Sequence, residues 1–313
     1  MSTLKPIVVV GSINMDLVAT AHHIPAPGET ILGTGFQTHP GGKGANQAVA
    51  VARLGYPVSM LGCLGSDDIG RQMRDYLTTS GVSTSAIGQV PGSSGVALIT
   101  VSEKGDNSIV VAPGANSHVT PAFLATHADL IRSAAIVLAQ LEIPLETVLA
   151  LAQLCQESQV PLILDPAPAL ELPHDLFPAL TWITPNETEA AFYLGHTPGD
   201  PAHPSGYEHS AGELLRQGTQ GVILKLGAQG SYLADASGRA SRIAPFPVTP
   251  VDSTAAGDCF NGAFATALAL GQTPTQAARF ASAASAISVT RAGAQASMPS
   301  RPEVEALLAK SQG

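Results

Sequence analysis

The chain carries few charged residues, and those it has are mostly acidic. Charged residues make up 12% of its 313 residues, and the formal net charge is -9 at pH 7. Nucleic acids bind basic surfaces, so this balance argues against a nucleic-acid partner, although it leaves room for a local positive site for a small anion. The apolar fraction of 45% is typical of a folded chain and not of a disordered one. This length suits one large domain or two smaller ones.

The chain also has little cysteine and no long apolar segment. Cys63, Cys155 and Cys259 are far apart and form no C-x-x-C pair, which argues against a disulfide framework or a zinc site and favours a reducing compartment. Cys259 could serve as a nucleophile, but a lone thiol is more typical of a structural role. No apolar segment reaches 18 residues, and the apolar run near the N-terminus is too short for a signal peptide. We therefore expect a cytoplasmic protein with no membrane partner.

Short apolar runs alternate with longer helical patterns along most of the chain. The predicted strands are 6–11, 58–65, 134–142, 160–165, 181–186 and 222–227. The predicted helices are 45–55, 68–79, 144–158 and 209–217. This alternation predicts an α/β fold with a mainly parallel sheet and helices on both of its faces.

Two regions interrupt this alternation. Residues 12–40 are rich in glycine, proline and short extended pieces, and residues 94–112 hold two extended runs around K-G-D-N, which predicts a hairpin. We expect both regions to form one small β-sheet lid outside the main sheet. The Pro- and Gly-rich segment 197–209 is predicted to be a surface loop, in which His203 and His209 are solvated and bind no metal.

Polar residues or glycine end four of the predicted strands. They are Glu142, Asp165, Asn186 and Gly227. Ligands bind outside the carboxyl ends of the strands in open parallel sheets, so this set predicts one extended site at that edge. Strand ends also meet water, which is an alternative reason for any one of these residues.

Two further segments carry polar groups that suit a sugar. H-P-G-G-K-G-A-N-Q-A (39–48) runs from a glycine-rich turn into a helix, and it lacks the G-x-x-x-x-G-K-[ST] pattern of a Walker loop. Its glycines let a ligand approach the backbone, while Lys43 and Asn46 suit hydroxyl groups. Asn14 and Asp16 stand just past the first strand and suit hydroxyls as well. A tight turn alone would explain the glycines, but less easily the polar cluster.

The segment V-D-S-T-A-A-G-D-C-F-N-G-A-F (251–264) is the main candidate for catalysis. Apolar residues recur at helical spacing after Asp258, so a helix is predicted to begin near it. The backbone N–H groups of Ala255, Ala256 and Gly257 would then lie at a helix N-terminus, where anions bind, and their small side chains would let a phosphoryl group come close. Asp258 would accept a proton from the attacking hydroxyl. An aspartate on a solvated face is the plainer alternative.

Together these motifs resemble the ribokinase branch of the PfkB-type carbohydrate kinases over nearly the whole chain. The matching segments are G-S-I-N-M-D, G-G-K-G-A-N-Q-A, Q-L-E-I-P, D-P-A-P-A, I-T-P-N-E-T-E, V-D-S-T-A-A-G-D-C-F-N-G-A-F and V-T-R-A-G-A-Q-A-S-M-P, in the family's order. The resemblance implies a ribokinase-like three-layer sandwich in which residues 1–313 form a single domain. It also implies ATP-dependent phosphorylation of D-ribose at the 5-hydroxyl, and a homodimer that pairs through the lid.

The resemblance also implies a role for each matching residue. Asp258 would be the base, with the anion hole at Ala255, Ala256 and Gly257. The residues implied to hold the sugar are Asn14, Asp16, Gly42, Lys43, Asn46, Glu142 and Asp258. Those implied to lie along ATP are Asn186, Lys225, Gly227, Gly230, Gly257 and Ser282. Glu189 would order Mg²⁺ and its waters. The residues implied to surround a potassium ion, several through backbone carbonyls, are Asp252, Thr254, Ser288, Arg291, Gly293 and Ser297.

Three positions depart from the family pattern. Lys225 stands where ribokinases often carry Thr, Ser282 where a ring residue such as His often lines the adenine pocket, and Cys259 where Thr is common. Lys225 would add a charge contact to phosphate, and Ser282 would alter the binding of the adenine base.

Other activities stay open at this stage. The alternatives are a kinase for 2-deoxyribose, another pentose, fructose or a nucleoside, and a non-catalytic regulator that binds a sugar or a nucleotide. Asp16 would separate ribose from 2-deoxyribose if it contacts the 2- and 3-hydroxyls. A dehydrogenase is excluded, because no G-x-G-x-x-G follows the first strand.

Overall fold

The computed structural model describes residues 4–195 and 206–311. The strands in these ranges, β1 to β13 in chain order, are Ile7–Val10, Asn14–Ala21, Gly35–Gly41, Val58–Gly65, Ser83–Val90, Gly95–Ser102, Asn107–Ala112, Ile136–Ala139, Leu162–Leu164, Trp182–Ile183, Gly221–Lys225, Ser231–Asp235 and Ala240–Ile243. The α-helices, α1 to α10, are Lys43–Arg53, Asp68–Thr79, Pro121–Ala125, Ala128–Arg132, Leu145–Ser158, Glu187–Tyr193, Tyr207–Arg216, Ala256–Ala269, Pro274–Ser288 and Arg301–Lys310. Every predicted strand and helix of the alternating pattern is present, with its ends shifted by a few residues.

The main sheet has nine strands in the order β13-β12-β11-β10-β9-β8-β1-β4-β5. The neighbouring strands from β5 to β11 are parallel, whereas β12 and β13 extend one edge in antiparallel pairs. The mainly parallel sheet was predicted, but β5 and the β12–β13 hairpin were not. β5 is a half-exposed edge strand, and the two strands of the hairpin are only five and four residues long, so their sequence patterns are weak.

Helices cover both faces of the main sheet, which makes the predicted three layers. Side chains alternate along a strand, and Ile7 and Val9 of β1 pack in the core that includes residues of α1, α2, α8, α9 and α10. Val8 and Val10 pack on the other face, in the core that includes residues of α3 to α7. All four side chains are fully buried, and burying one of this size contributes about 1.5–3 kcal/mol. Both cores hold the central strands in place, and the site is built on the ends of these strands.

The second sheet, called the lid sheet below, has four strands in the order β3-β2-β6-β7. β2 pairs antiparallel with β3 and parallel with β6, and β6 and β7 form the predicted hairpin. Gly105 in the hairpin turn has φ of 86°, a conformation that favours glycine. The lid sheet lies in the two regions that interrupt the alternating pattern, with β3 ending one residue beyond the first.

Some sequence expectations concern surface features. Most of the predicted loop 197–209, with His203, lies outside the described residues. His209 lies in α7, where its Nε2 is 3.5 Å from Glu213 Oε1. Within residues 4–195 and 206–311, no helix has the length and apolar character needed to cross a membrane.

Candidate active site

The site forms where the carboxyl ends of the central strands meet the N-termini of α1 and α8. Gly42 precedes α1 with φ of 88°, and a side chain there would meet the backbone nitrogen of Asn14 at 2.6 Å. Only glycine therefore allows this turn. The Lys43 N–H donates to Glu142 Oε2 at 3.1 Å, and the hydroxyl of Ser12 donates to the same oxygen. These bonds fasten the start of α1 to the ends of β1 and β8.

The side chains predicted to hold a sugar gather in this cleft. Asn14 is buried, and its Oδ1 accepts from Asn116 Nδ2 at 2.7 Å, so its own amide N–H groups are directed elsewhere. Asp16 is half-buried and accepts no hydrogen bond from another described residue. Burial first, then the nearby charges of Glu142 and Asp258, raise the pKa of Asp16 to about 6. A half-buried acceptor without a donor suits the hydroxyls of a ligand.

Lys43 is the cation of this cleft. Burial opposes its charge, but the carboxylates around it raise the pKa of Lys43 above its usual value. These carboxylates are Asp258, Asp165, Glu142 and Glu189. The ammonium group therefore stays charged and offsets part of the repulsion among the acidic side chains.

Asp258 lies in the first turn of α8 and is only 5% exposed. Asn46 Nδ2 donates to its Oδ2 at 2.9 Å, and Gln47 Nε2 donates to its Oδ1 at 3.1 Å. Burial raises the pKa of Asp258 to about 6, although Lys43 and the two amides lower it. A carboxylate with this pKa is ionised at neutral pH, yet it is more basic than an exposed one. Asp258 is thus suited to accept a proton.

The backbone before Asp258 is shaped to bind an anion. Ala255 has φ of 58°, a left-handed conformation that costs an alanine about 1–2 kcal/mol. α8 begins at Ala256, two residues before Asp258, and no side chain caps it. Within the described chain, the N–H groups of Ala255 and Gly257 donate to no backbone acceptor, whereas Ala256 donates to the Ser253 carbonyl at 3.2 Å. Ala256 therefore differs from the prediction, and Ala255 and Gly257 keep free donors at the start of a long helix.

A cavity of about 600 Å³ opens beside this backbone. All six residues implied to lie along ATP line it: Asn186, Lys225, Gly227, Gly230, Gly257 and Ser282. Much of the remaining wall is apolar and is built by Pro245, Phe246, Pro247, Val248 and Val289. The hydroxyl of Ser282 lies 3.3 Å from that of Ser231. A largely apolar cavity with a few polar groups is typical of a small-molecule site.

Lys225 lines this cavity and pairs with Asp165. Its Nζ lies 2.8 Å from Asp165 Oδ1, and the two side chains are 13% and 3% exposed. A Cβ atom placed on Gly257 would lie 3.3 Å from Lys225 Nζ, so the ammonium group reaches the free N–H groups at the start of α8. A positive charge at this point suits a phosphate oxygen.

Glu189 and Asn186 form a capping box at the start of α6. The N–H and Nδ2 of Asn186 donate to the Glu189 carboxylate at 2.8 and 3.0 Å, and the Glu189 N–H donates to Asn186 Oδ1 at 2.8 Å. Burial raises the pKa of Glu189, although Lys225 opposes this. Within the described residues, no three His, Cys, Asp or Glu side chains could hold a metal ion by themselves. The arrangement fits an ion that keeps most of its waters, as Mg²⁺ does.

Asp252 connects two of the loops implied to hold potassium. Its Oδ1 accepts from the N–H and hydroxyl of Thr254 at 2.9 and 2.6 Å, and its Oδ2 accepts from the Gly293 N–H at 2.8 Å. Burial opposes ionisation, but these hydrogen bonds hold the pKa of Asp252 below its usual value. The carboxylate therefore stays ionised, next to the loop that leads into α8.

The other residues implied for this cation offer oxygen atoms. The hydroxyls of Ser288 and Ser297 donate to backbone carbonyls, which leaves their lone pairs free to accept or to bind a cation. The guanidinium of Arg291 binds Glu303, so only the Arg291 carbonyl could contribute. A set of carboxylate, hydroxyl and carbonyl oxygens suits a hard cation.

Several buried amides in the site were not predicted from the sequence. Gln140 Nε2 donates to Gln47 Oε1 at 2.7 Å, and Gln295 Nε2 donates to Asn46 Oδ1 at 2.9 Å. Gln47 lies in the glycine-rich segment 39–48, and Asp165 ends a predicted strand. The sequence therefore placed both residues near the site, but it did not predict the hydrogen bonds that they make. Gln140 and Gln295 lie in two of the segments that match the family, Q-L-E-I-P and V-T-R-A-G-A-Q-A-S-M-P, but no role was predicted for either.

Comparison with known proteins gives a consistent result. The family described as pfkB family carbohydrate kinase matches residues 4–301. The ribokinase of Bacillus subtilis (strain 168) is 44% identical over 306 residues, which cover 97% of this chain and 100% of that protein. The deoxyribokinase of Salmonella typhi is 34% identical over 299 residues, which cover 94% of this chain and 95% of that protein.

Solved structures show the same similarity. The ribokinase of Thermotoga maritima has a TM-score of 0.89 and 38% identity, and the match covers 97% of this chain and 99% of that one. The Arabidopsis thaliana ribokinase, solved with ribose and ATP, has a TM-score of 0.91 and 34% identity, with 98% and 99% of the two chains covered. The predicted ribokinase-like fold is therefore confirmed.

Proposed function

The chain belongs to the pfkB family of carbohydrate kinases, and from this premise we propose that it transfers the γ-phosphoryl group of ATP to the 5-hydroxyl of D-ribose. It is a phosphotransferase that acts on an alcohol group. The observation that carries the proposal is the position of Asp258, because Asn46 of the sugar cleft donates to it while its neighbour Gly257 lines the ATP-sized cavity. The Arabidopsis relative binds ribose and ATP, which supports the same two ligands here.

Asp258 orients the 5-hydroxyl and takes its proton as the bond from oxygen to phosphorus forms. At the same time the bond between the γ-phosphorus and the β,γ-bridging oxygen breaks, and ADP leaves. The transition state of such transfers is loose, so positioning and charge neutralisation carry most of the reduction in the barrier. The hydrogen bonds from Asn46 and Gln47 support this role because they fix both carboxylate oxygens.

Charge on the transferred group would be met by the N–H groups of Ala255 and Gly257 and by the ammonium of Lys225. Donors that are already aimed at the developing charge need no rearrangement during the reaction. Mg²⁺, when bound, neutralises phosphate charge, and Glu189 would order its waters. The excess of carboxylates over lysines in the cleft supports the binding of such a cation.

A potassium ion would be held by oxygen atoms of Asp252, Thr254, Ser288, Arg291, Gly293 and Ser297. It would fix the loop that carries Asp252 and Thr254, which runs directly into Ala255 and α8. The ionised state of Asp252 supports a cation at this place. We expect the ion to raise turnover by holding the anion-binding backbone in its working conformation.

Formation of ADP from Mg-ATP is expected to require D-ribose, and to fall when potassium is replaced by sodium at equal ionic strength. The measurement is the initial rate of ADP release in both salts, with and without ribose. Equal rates in the two salts would remove the potassium proposal and leave the kinase intact. If ribose does not stimulate ADP release in either salt, the assignment of ribose as substrate is wrong.

The lid sheet supports a homodimer. Leu98 and Val110 are opposite one another on β6 and β7 and share one face, whereas Ile109 and Val111 belong to the other face. All four side chains are exposed. A sheet with apolar side chains exposed on both faces lacks a core of its own, and pairing with the lid sheet of a second copy would supply one.

Two further features support the remaining expectations. Met15 of the lid sheet is buried in the same core as Ile7 and Val9 of β1. This contact between the two sheets supports one domain over residues 1–313 with a lid at 12–40 and 94–112. All three cysteines are free and buried, which supports the cytoplasm as the compartment.

The rate constant kcat/KM for ribose is expected to fall steeply below pH 6. The pKa values of Asp16 and Asp258 are both raised to about 6, so both carboxylates take up a proton as the pH falls through this value. Both must be ionised in the free enzyme to bind the sugar and accept its proton. A plot of log kcat/KM against pH should therefore approach a slope of about two, a loss of about 100-fold per pH unit. A slope of one would show that only one of them matters.

A further inference from the structure

Gln47 connects the two most deeply buried carboxylates of the site. Its Nε2 donates to Asp258 Oδ1 at 3.1 Å and to Asp165 Oδ2 at 3.0 Å, so both of its N–H groups are used. The side chain is fully buried. No water-exposed group can take over these two bonds without a rearrangement of the core.

The orientation of the Gln47 amide is set by Gln140. Gln140 Nε2 donates to Gln47 Oε1 at 2.7 Å, so the oxygen of Gln47 faces this donor and the NH₂ group faces the carboxylates. In the flipped orientation an amide oxygen would face two carboxylates, and the NH₂ groups of both glutamines would face each other. The observed arrangement is therefore strongly favoured.

The contacts continue beyond Asp165 to the cavity. Asp165 Oδ1 binds Lys225 Nζ at 2.8 Å, and Lys225 lines the cavity next to Gly257. A continuous path of hydrogen bonds thus runs from Lys225 through Asp165 and Gln47 to Asp258. It joins the group that would meet the phosphate to the group that would take the proton.

We propose that Gln47 is a positioning residue that ties Asp258 to the Asp165–Lys225 pair and so keeps the base aimed and charged. The proposal rests on the proposed function, because it assigns Asp258 the role of base. Two like charges repel, and a shared donor between them offsets the repulsion while fixing their separation. A residue that served packing alone would need no donor here.

The charge state of Asp258 depends on groups from every side of the site. Lys43 of α1, Asp165 after β9, Asp16 of β2 and the Cys259 thiol of α8 act on Asp258 directly. Glu142 after β8 and Glu189 of α6 surround Lys43, and Lys225 of β11 pairs with Asp165. Removal of Gln47 leaves all of them in place and removes one donor to Asp258 and one to Asp165, each of which stabilises the charged form of its carboxylate. The pKa of Asp258, already raised to about 6 by burial, is then expected to rise further.

Gln47→Met tests the proposal, because methionine keeps the volume and lacks the N–H groups. A hydrogen bond to a charged group accounts for about one to two units of pKa, so the acidic limb of the kcat profile should move up by about one to two pH units. Activity at pH 7 should therefore fall by about 2- to 10-fold and recover towards pH 9.

Thr266→Val is the matched control. Thr266 is also fully buried and lies in α8, but its hydroxyl donates only to the Gly262 carbonyl. The control should keep the position of the acidic limb. If Gln47→Met lowers kcat by the same factor at every pH, or leaves it unchanged, Gln47 is structural and the proposal is wrong.

Two further results separate the role of Gln47 from a failure to fold and from a wrong assignment of function. If Gln47→Met does not fold, as judged by circular dichroism, Gln47→Leu decides, because it also lacks the N–H groups and should shift the acidic limb in the same direction. An unshifted limb in this variant would overturn the proposal. A wild-type protein that does not phosphorylate ribose would refute the proposed function. An active wild type with an unshifted Gln47→Met profile would refute only the role of Gln47.

Discussion

Asp258→Asn is expected to lower kcat for ribose phosphorylation by about 10²- to 10⁴-fold, the range of a lost acid–base group. Asparagine has nearly the same shape but takes no proton from the 5-hydroxyl. The Michaelis constants for ribose and ATP should change little, because the cavity and the other sugar contacts remain. The measurement is steady-state kinetics over a range of ribose and ATP concentrations up to saturation, with calorimetry to confirm that both ligands bind.

The same variant has an expected effect on stability. The pKa of Asp258 is raised in the folded protein from 3.8 to about 6, so the wild type loses stability as the pH rises from about 4 to above 6. Asparagine does not titrate and lacks this loss. The melting temperature of the variant relative to that of the wild type should therefore increase as the pH rises over this range.

Asp235→Asn is a matched control for this change. Asp235 binds Ser237 and Arg239 in the β12–β13 turn, away from the cleft, and its loss should leave kcat within about 2-fold. If Asp258→Asn keeps kcat within about 3-fold of the wild type, Asp258 is not the base, since such a loss lies far below the usual contribution.

Asp16 is expected to determine the choice between ribose and 2-deoxyribose. Its carboxylate is half-buried and accepts no hydrogen bond from another described residue. A substrate that lacks the 2-hydroxyl would therefore leave this carboxylate without a hydrogen-bond donor. Sites built to bind a hydroxyl reject the analogue without it by about 10⁴-fold. We expect kcat/KM of the wild type to favour ribose by up to this factor.

Asp16→Ala should remove most of this preference. The variant is expected to lose about 10³-fold in kcat/KM for ribose while the value for 2-deoxyribose changes little, so that the preference falls to about 10-fold or less. The Michaelis constant for ATP should stay the same, because Asp16 lies outside the cavity. A wild type that uses both sugars equally would instead support the alternative function of a 2-deoxyribose kinase. The deoxyribokinase of Salmonella typhi, at 34% identity, has that name.

The fold was largely predictable because its signal is local. The strands of the central sheet are buried on both faces, so they appear as short apolar runs, and α1, α2, α5 and α7 show helical patterns between them. The edge elements were less predictable. β5 alternates buried and exposed residues only in part, and β13 is mostly exposed, so their formation depends on a neighbouring strand more than on their own sequences.

The candidate site divides in the same way. Asp258 and the small residues before it lie in one segment, and the chemistry of a helix N-terminus follows from that segment alone. The amides that hold Asp258 are those of Asn46 and Gln47, which lie 212 and 211 residues before it, and their own amide partners are distant as well. Gln140 is 93 residues from Gln47, and Gln295 is 249 residues from Asn46. Neutral amides carry no charge pattern, so only the folded structure reveals these contacts.

The most direct test of the proposed function is to identify the product. Purified protein is incubated with D-ribose and Mg-ATP in potassium buffer, and phosphorus and carbon NMR then locate the new phosphate ester. We expect D-ribose 5-phosphate, formed in equal amount with ADP. A phosphate on another hydroxyl, or ADP formed together with free phosphate alone, would contradict the transfer to the 5-hydroxyl.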